Sequence, residues 1–484
     1  MKKRTTLNKT LKPHWVWAIA LGSSIGWGAF VQPINWMEMA GPLGVIIGFS
    51  IGALLMMLIA VSYGFLIKSY PVSGGEFAYA FISLGRTHAF INGWFLTLGY
   101  ICIVALNASA FALMFKYVFP AVIEQLHLYT IADWDVYGME IIIASVGLII
   151  FGYLNIKGTG VSGRSQFIFA LVMILSVVVL TVLIGVEPTS GIANMKPYFP
   201  TNMTAFAAII SIVAIAPWAY VGFDIIPQAA EEFDFPARKA FTLIILALLF
   251  AAAIYSLMII ATSIASPWQD VVKANHLWGT GAIVQELLGT SGLIILVLAL
   301  SMGIFTGLNG FILAGSRVLF SMSRAKILPK SFGRLHPKYK TPHVAIIFTV
   351  AISALAPWFG REALVWVVDM SSIGVSIAYL YTCYTSFYLF KWSQQSVTDP
   401  FTQVVSPFKK AISLLGVICS STFILLLLVP ISPAFLGIES RIALGVWIVL
   451  GIIFYLYKRK EYNAIPEEEL DYLILGENKE KLKE

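Results

Sequence analysis

The chain has 484 residues, of which 58% are hydrophobic and only 12% charged, and its mean hydropathy of +0.84 lies far above that of a soluble domain. Soluble enzymes and disordered scaffolds are thereby excluded. The formal charge of +7 does not signal a nucleic-acid partner, because the basic residues gather in alternate connections between apolar runs, as the positive-inside rule requires.

A helix needs roughly 20 apolar residues to cross the hydrocarbon core, and about twelve such runs follow one another. In chain order they cover 16–37, 42–67, 88–117, 137–154, 166–185, 204–230, 240–266, 289–324, 343–357, 363–390, 411–430 and 441–457. The runs that start at His88 and Gly289 exceed one bilayer, so continuous, tilted or protruding helices are expected there. Lys2, Lys3, Arg4, Lys9 and Lys12 precede the first span without an acidic residue, and the basic run leads into a full-length span, which reads as a retained first helix. Arg86, Lys157, Arg164, Arg238, Lys239, Lys326, Lys330, Arg334, Lys338, Lys340, Lys409 and Lys410 fall in connections on one side, whereas Glu38, Glu124, Asp133, Asp135 and Glu187 fall on the other. Both termini are therefore expected in the cytoplasm of a multi-pass protein of the plasma (cell inner) membrane.

Two spans carry glycine-aromatic interruptions: Gly22-Ser-Ser-Ile-Gly-Trp-Gly-Ala-Phe30 in the first and Ala216-Pro-Trp-Ala-Tyr-Val-Gly-Phe-Asp224 in the sixth. Hydrocarbon offers no water to unpaired backbone groups, so such breaks are tolerated where protein or an aqueous cavity satisfies them. If spans one to five and six to ten are two repeats, the odd count inverts the second, and the breaks meet near the midplane as one binding site. The predicted organisation is a cytoplasmic segment 1–13, a first inverted repeat 14–185, a second 186–390, two further spans within 391–457, and a charged, poorly ordered cytoplasmic tail 458–484.

The small residues of the first break also suit close helix packing, a reading that would carry the day for an isolated helix. Here Gln32-Pro33 follows, and opening of the helix would expose N–H groups around Gly26 to Gly28 that favour a carboxylate. Pro217 and Gly222 loosen the second break, leaving carbonyls near Ser24, Trp218 and Ala219 for an ammonium. Those two preferences together describe an α-amino acid or a related amine. Asp224, an acid within a span, is a substrate or proton candidate, with a structural role toward nearby backbone N–H groups or Gln228 as the equal alternative. Asp369 reads as a hydrogen-bonded structural or vestibule residue, and Glu231 and Glu232 as salt-bridge partners of Arg238 and Lys239. Gly158-Thr-Gly-Val-Ser-Gly163 matches the dinucleotide fingerprint but follows a membrane span with no strand before it. Cys102, Cys383 and Cys419 have no motif spacing, and the six histidines form no ligand pair, so no cofactor or metal is expected.

Several motifs in order resemble the amino acid-polyamine-organocation superfamily of permeases: the first break itself, Tyr70-Pro-Val-Ser-Gly-Gly-Glu-Phe-Ala-Tyr79, Asn155-Ile-Lys-Gly with Gln166, Gly222-Phe-Asp with Ala230-Glu-Glu232 and Pro236, and Ser316-Arg317 through Arg324, Leu328-Pro329 and Thr341-Pro342. The resemblance implies an all-α integral membrane protein with the five-plus-five inverted-repeat (leucine-transporter-type) fold, discontinuous helices one and six, and two added C-terminal helices. It implies that Gly26, Trp27 and Gly28 donate N–H groups to a carboxylate beside Ile25, and that the Ser24 carbonyl takes the amino group. Trp218 matches the aromatic lid, Asp224 a substrate-proximal position that is a coupling candidate, and Ala219, Val221 and Gly222 the unwound lining, with Tyr100 and Asn309 as wall residues. Trp27 stands where smaller residues are usual, Asp224 replaces a glutamate or amide, and Met173 stands where many sodium-independent relatives carry lysine.

The expected activity is that of a secondary transporter, not an enzyme, moving amino acids or small amines by alternating access, as a proton-coupled symporter or an exchanger. The alternatives are a polyamine or organic amine permease, or a ligand sensor or channel on the same fold. The expected partners are the small-molecule substrate, protons under the symport reading, and the lipid bilayer. Substrate identity and oligomeric state are left open.

Overall fold

The computed structural model describes residues 4–131, 134–360, 362–393, 407–430, 432 and 435–476. Among the described residues nine helices are long and apolar enough to cross a membrane: Pro33–Ser69, Gly75–Val118, Gly138–Lys157, Thr159–Val186, Ala237–Ala265, Gly279–Arg324, Trp366–Phe390, Pro407–Leu428 and Ile438–Asn463. Ile149, Leu175, Ile294, Leu425 and Ile453 on these helices are each more than half exposed, whereas the polar Ser62, Asn92, Gln166, Thr306 and Asn309 are fully buried. That distribution suits a surface facing lipid and an interior holding the polar groups. The chain is a multi-pass membrane protein.

The first, sixth and ninth predicted spans consist of shorter pieces. The first runs through Pro13–Ile25 and Gly28–Val31 and then enters the helix Pro33–Ser69, which bends at Gly41 into the second span. The sixth is divided into Ala205–Ala214, Ala216–Tyr220 and Ile225–Gln228, and the ninth into His343–Ser353 and a 3-10 turn Ala356–Phe359. Local chemistry sets these ends. The Thr204 hydroxyl accepts from the Ala207 N–H at 3.2 Å to start the sixth span. Pro217 then sits in the first turn of its second piece, where a missing N–H costs least. Gly26, at φ 53° and ψ −146°, stops the first helix in a conformation open essentially to glycine alone.

From Gly289 to Arg324 the helix is uninterrupted, as is the stretch from Arg86 to Val118, each following a glycine at positive φ (Gly289 and Gly85). Each such stretch is roughly 50 Å long at 1.5 Å per residue, well beyond a hydrocarbon core of about 30 Å. Their polar ends therefore stand outside it. Strands His127–Ile131 and Trp134–Tyr137 form an antiparallel pair in the connection between the third and fourth predicted spans. Outside hydrocarbon an edge of sheet can face water, so this hairpin is compatible with an otherwise helical membrane protein.

The tail departs from expectation. Glu467–Leu475 is a helix whose Leu470 and Ile474, four residues apart on one face, are almost completely buried. Its end is held by Arg4, whose Nε donates to the Leu473 carbonyl at 3.2 Å and whose Nη2 donates to the Ile474 carbonyl at 3.3 Å. The last carbonyls of a helix have no partner within it and attract a cation, which is why the guanidinium docks there. Residues 394–406, in the predicted segment 391–457 ahead of its first span, and residues 477–484 of the tail lie outside the described residues. Both described chain ends thus meet on one face, called here the terminal face; the opposite one is the far face.

Candidate functional site

The two interrupted spans touch at their breaks. A Cβ on Gly222 would lie 2.5 Å from the Ser24 nitrogen, and Gly222 has φ 135°, so both space and backbone conformation call for glycine there. Across the contact the Ser24 hydroxyl donates to the Tyr220 carbonyl at 3.1 Å. The Gly26 N–H, expected to face a carboxylate, instead closes the last turn of the first helix on the Gly22 carbonyl at 3.0 Å. The outer piece starts one residue later: Phe30 and Val31 donate to the Trp27 carbonyl at 3.1 and 3.3 Å. The N–H groups of Trp27 and Gly28 are left without a partner among the described residues, as the first turn of any helix leaves its donors. The donor set for a carboxylate therefore shrinks from three groups to two.

The carbonyl side differs from expectation as well. The Tyr255 hydroxyl, from the helix Ala240–Ala265, donates to the Ser24 carbonyl at 2.9 Å and the Ala219 carbonyl at 2.8 Å, with the Ile25 carbonyl at 3.3 Å. One hydroxyl proton serves one acceptor at a time, so these carbonyls from two spans compete for a single neutral donor. Tyr255 is itself positioned by rings: it stacks on Phe49 at 4.8 Å and meets Trp36 and Tyr220 edge-on. The sequence reading overlooked Tyr255, although a phenol inside an apolar span signals a hydrogen bond made within the protein.

Asp224 is fully buried, and both of its oxygens are used. Oδ1 accepts from the Gly222 N–H at 2.7 Å and Oδ2 from the Tyr100 hydroxyl at 2.8 Å. It thus ties the sixth-span break to the helix Gly75–Val118, through a backbone N–H as one of its two expected roles required, but not through Gln228, which bonds to Glu76. Tyr100 reaches the site only through Asp224. Asn309 does not face the breaks: its amide is held by Asn155 at 3.0 Å, Gln166 at 2.7 Å and Ser162 at 2.7 Å, and it joins three helices. Ile25, Ala219 and Val221 are buried against the break itself. Asp369 accepts from the Ser440 hydroxyl at 2.6 Å and from the Gly437 N–H at 3.4 Å, a structural link to the last long helix.

On the far face a cleft of about 630 Å³ descends to the breaks, lined by Gln32, Trp36, Tyr117 and Trp278, with Trp27 and Trp218 also on its lining. The two indoles meet edge to face with centroids 6.2 Å apart, and the Trp218 ring lies against Gly28, where an added Cβ would come within 3.2 Å of it. Trp27 therefore packs on the other tryptophan, in a geometry favourable to aromatic pairs.

On the terminal face ion pairs tie down the end of the sixth span. Glu231 pairs with Arg324 at 2.9 Å and with Arg4 at 3.3 Å, and also accepts from the Leu7 and Ser73 N–H groups, both at 3.2 Å. Glu232 pairs with Arg317 at 2.9 Å and accepts from the Thr159 hydroxyl at 2.8 Å. The partners are thus arginines distant in sequence, not Arg238 and Lys239 as expected: the 3-10 turn Ala230–Glu232 directs both acids inward, while Arg238 and Lys239 are not buried. Burial alone would raise the Glu231 carboxyl, but the Arg324 and Arg4 guanidiniums outweigh it and hold the group below the usual carboxylate range. Cys102, Cys383 and Cys419 are free thiols, and no group of metal-ligating side chains is found among the described residues.

Residues 15–454 match the family model described as "Amino acid permease". The chain belongs to the amino acid permease family. It is similar to the branched-chain amino acid permease BcaP of Bacillus subtilis (strain 168), at 27% identity over 452 residues that cover 91% of each chain. It is also similar to the methylthioribose transporter of the same organism, at 25% identity over 77% of this chain and 79% of that one. The aromatic amino acid transport protein AroP of Escherichia coli (strain K12) is 23% identical over 95% of this chain and 97% of its own. The relatives are transporters, and amino acid transport across a membrane is the activity of this family.

Proposed function

We propose that this permease is a secondary transporter of α-amino acids with apolar side chains that works by alternating access. The observation that carries the reading is the contact of two interrupted spans at Gly222 and Ser24, with the N–H groups of Trp27 and Gly28 on one side and the Ser24 and Ala219 carbonyls on the other. Free donors suit a carboxylate, and carbonyls held by one neutral hydroxyl suit an ammonium that brings three N–H groups of its own. Asp224 is occupied by Gly222 and Tyr100, which leaves aromatic and aliphatic side chains, Trp27, Trp218, Ile25 and Val221, to meet the substrate. That chemistry favours an apolar amino acid over a cationic amine and agrees with relatives named for branched-chain and aromatic amino acids.

In this reading the chain spans the plasma membrane about twelve times as two inverted repeats, 14–185 and 186–390, followed by two further spans. The terminal face, which carries the basic connections, is cytoplasmic. The cleft on the far face and the ion pairs on the terminal face then describe a state open toward the outside and closed toward the cytoplasm. Purified protein in liposomes loaded with unlabelled amino acid tests the proposal: labelled leucine or phenylalanine should enter by counterflow, and lysine or putrescine should compete poorly. Absence of counterflow for every amino acid in a full panel would refute it.

A further inference from the structure

Glu76 stands at the start of the helix Gly75–Val118 and is fully buried. The Tyr63 hydroxyl donates to its Oε1 at 2.9 Å, and the Gln228 amide donates to its Oε2. A second buried carboxyl, Asp224, lies in the same stretch of the sixth span as Gln228. Neither acid forms an ion pair with a basic side chain among the described residues, because the nearby arginines of the terminal face are engaged by Glu231 and Glu232. The titratable groups that act on Glu76 are Asp224 from the sixth span, Tyr63 from the second, Tyr379 from the tenth, and Tyr79 and Tyr100 from its own helix. None of them is a cation at neutral pH. Two buried carboxylates that act on each other without a counter-charge repel and lose their hydration, so holding both charged is costly.

The neighbours distinguish the two acids. Asp224 Oδ1 faces the Gly222 N–H, which can only donate, and its Oδ2 faces the Tyr100 hydroxyl, which can turn to accept just as Tyr63 can at Glu76. Glu76 faces a side-chain amide whose other end is idle: Gln228 Oε1 is buried and has no hydrogen-bond partner among the described residues. An amide turned over presents its carbonyl in place of its NH2 group, so Gln228 can serve a carboxylate as donor and a carboxylic acid as acceptor. Asn92 repeats the pattern: its Nδ2 donates to the Glu76 main-chain carbonyl at 2.7 Å, and its Oδ1 is buried and unpartnered among the described residues. In the chain Gln228 lies between the Gly222 break and the Glu231 ion pairs, so a change at Glu76 is felt by the segment that must move in transport.

We infer that Glu76 carries the proton that drives transport, and that Gln228 couples its protonation to the sixth span. The assignment rests on the reading of the chain as a secondary transporter. One proton binds Glu76 from the outer side while the cleft is open, and its O–H donates to the Gln228 carbonyl. After the Glu231 and Glu232 pairs open, the same proton leaves to the cytoplasm, and the carboxylate takes back the donors of Tyr63 and Gln228. One proton thus moves in the same direction as each substrate molecule.

The full chain in liposomes separates the two readings. Counterflow at equal pH reports transport as such; accumulation driven by an acidic exterior reports the proton. Glu76→Gln, which mimics the protonated acid, should keep counterflow within about twofold and lose gradient-driven accumulation by about tenfold or more, a difference of about 1.4 kcal/mol. Asp224→Asn should transport more slowly yet still accumulate substrate under the gradient. Failure of wild-type counterflow would remove the transporter reading itself. Wild-type counterflow without gradient-driven uptake, or accumulation retained in Glu76→Gln, would overturn the Glu76 assignment alone. If Glu76→Gln does not fold, Gln228→Leu should move the pH of half-maximal uptake by about one unit, and an unmoved profile overturns the coupling through Gln228.

Discussion

Replacing Tyr255 by phenylalanine removes one hydroxyl and leaves the ring stacked on Phe49 and against Trp36 and Tyr220, so the packing of the helix Ala240–Ala265 should survive. What is lost is the neutral donor that the Ser24 and Ala219 carbonyls share. Because one proton serves one acceptor at a time, the loss counts once: about 1–3 kcal/mol for leaving a buried acceptor unsatisfied. That corresponds to about a 5- to 150-fold shift between the observed arrangement of the two breaks and any arrangement in which the carbonyls find another partner. A substrate ammonium is such a partner and no longer competes with the phenol. Tyr255→Phe should therefore bind amino acid more tightly and gain more thermal stability from it than the wild type, while moving it more slowly. Binding to detergent-solubilised protein, melting with and without saturating substrate, and counterflow rate would each be compared with wild type. An unchanged Kd together with an unchanged ligand-induced shift in Tm would show that the hydroxyl does not occupy the ammonium's place, and the reasoning would fail.

Trp218→Ala should reduce uptake by about tenfold or more, by removing the ring that covers Gly28 and meets Trp27, with normal elution of the purified protein in size exclusion; wild-type uptake would remove its role as a lid. Asp224→Asn and Tyr100→Phe each weaken the same buried bond, so each should cost about 1–3 kcal/mol, and the double variant should cost less than the sum; additivity in melting experiments would show that the 2.8 Å contact is not coupled. The folded state holds Glu231 below its ordinary range, so the unfolded state binds more protons and stability rises with pH. Its contribution is present above the unfolded carboxyl value, about 4.3, and is lost as pH falls through the lower folded value. Glu231→Gln should therefore flatten the acid limb of the stability curve below about pH 4.3, and an unchanged limb would contradict the role of Arg324 and Arg4.

Much of this molecule was legible because hydrocarbon imposes a length on every span and forbids unpaired backbone. The long apolar runs could be counted, and the breaks at Gly26 and Gly222 could be placed from glycine and proline alone, since both glycines adopt positive φ. The tail was misread because composition averages over a charged segment, whereas its docking depends on two apolar residues, Leu470 and Ile474, at helical spacing. Partners of acids were misread for a related reason. Charge proximity in sequence pointed Glu231 and Glu232 to Arg238 and Lys239, but long side chains pair with whatever the packing of helices brings near, here Arg4, Arg317 and Arg324.

By itself the sequence determined that this is a membrane protein of long apolar helices, where its first and sixth spans must break, and which family it resembles, because those properties follow from hydropathy, glycine and proline, which act locally. Only the tertiary structure decided which groups those breaks leave free. It assigned the Gly26 N–H to the first helix, gave the Ser24 and Ala219 carbonyls to Tyr255, turned Asn309 away from the site, and enclosed Glu76 with Gln228. Hydrogen-bond capacity is a property of residues, but its allocation depends on distances of a few ångströms between segments far apart in the chain.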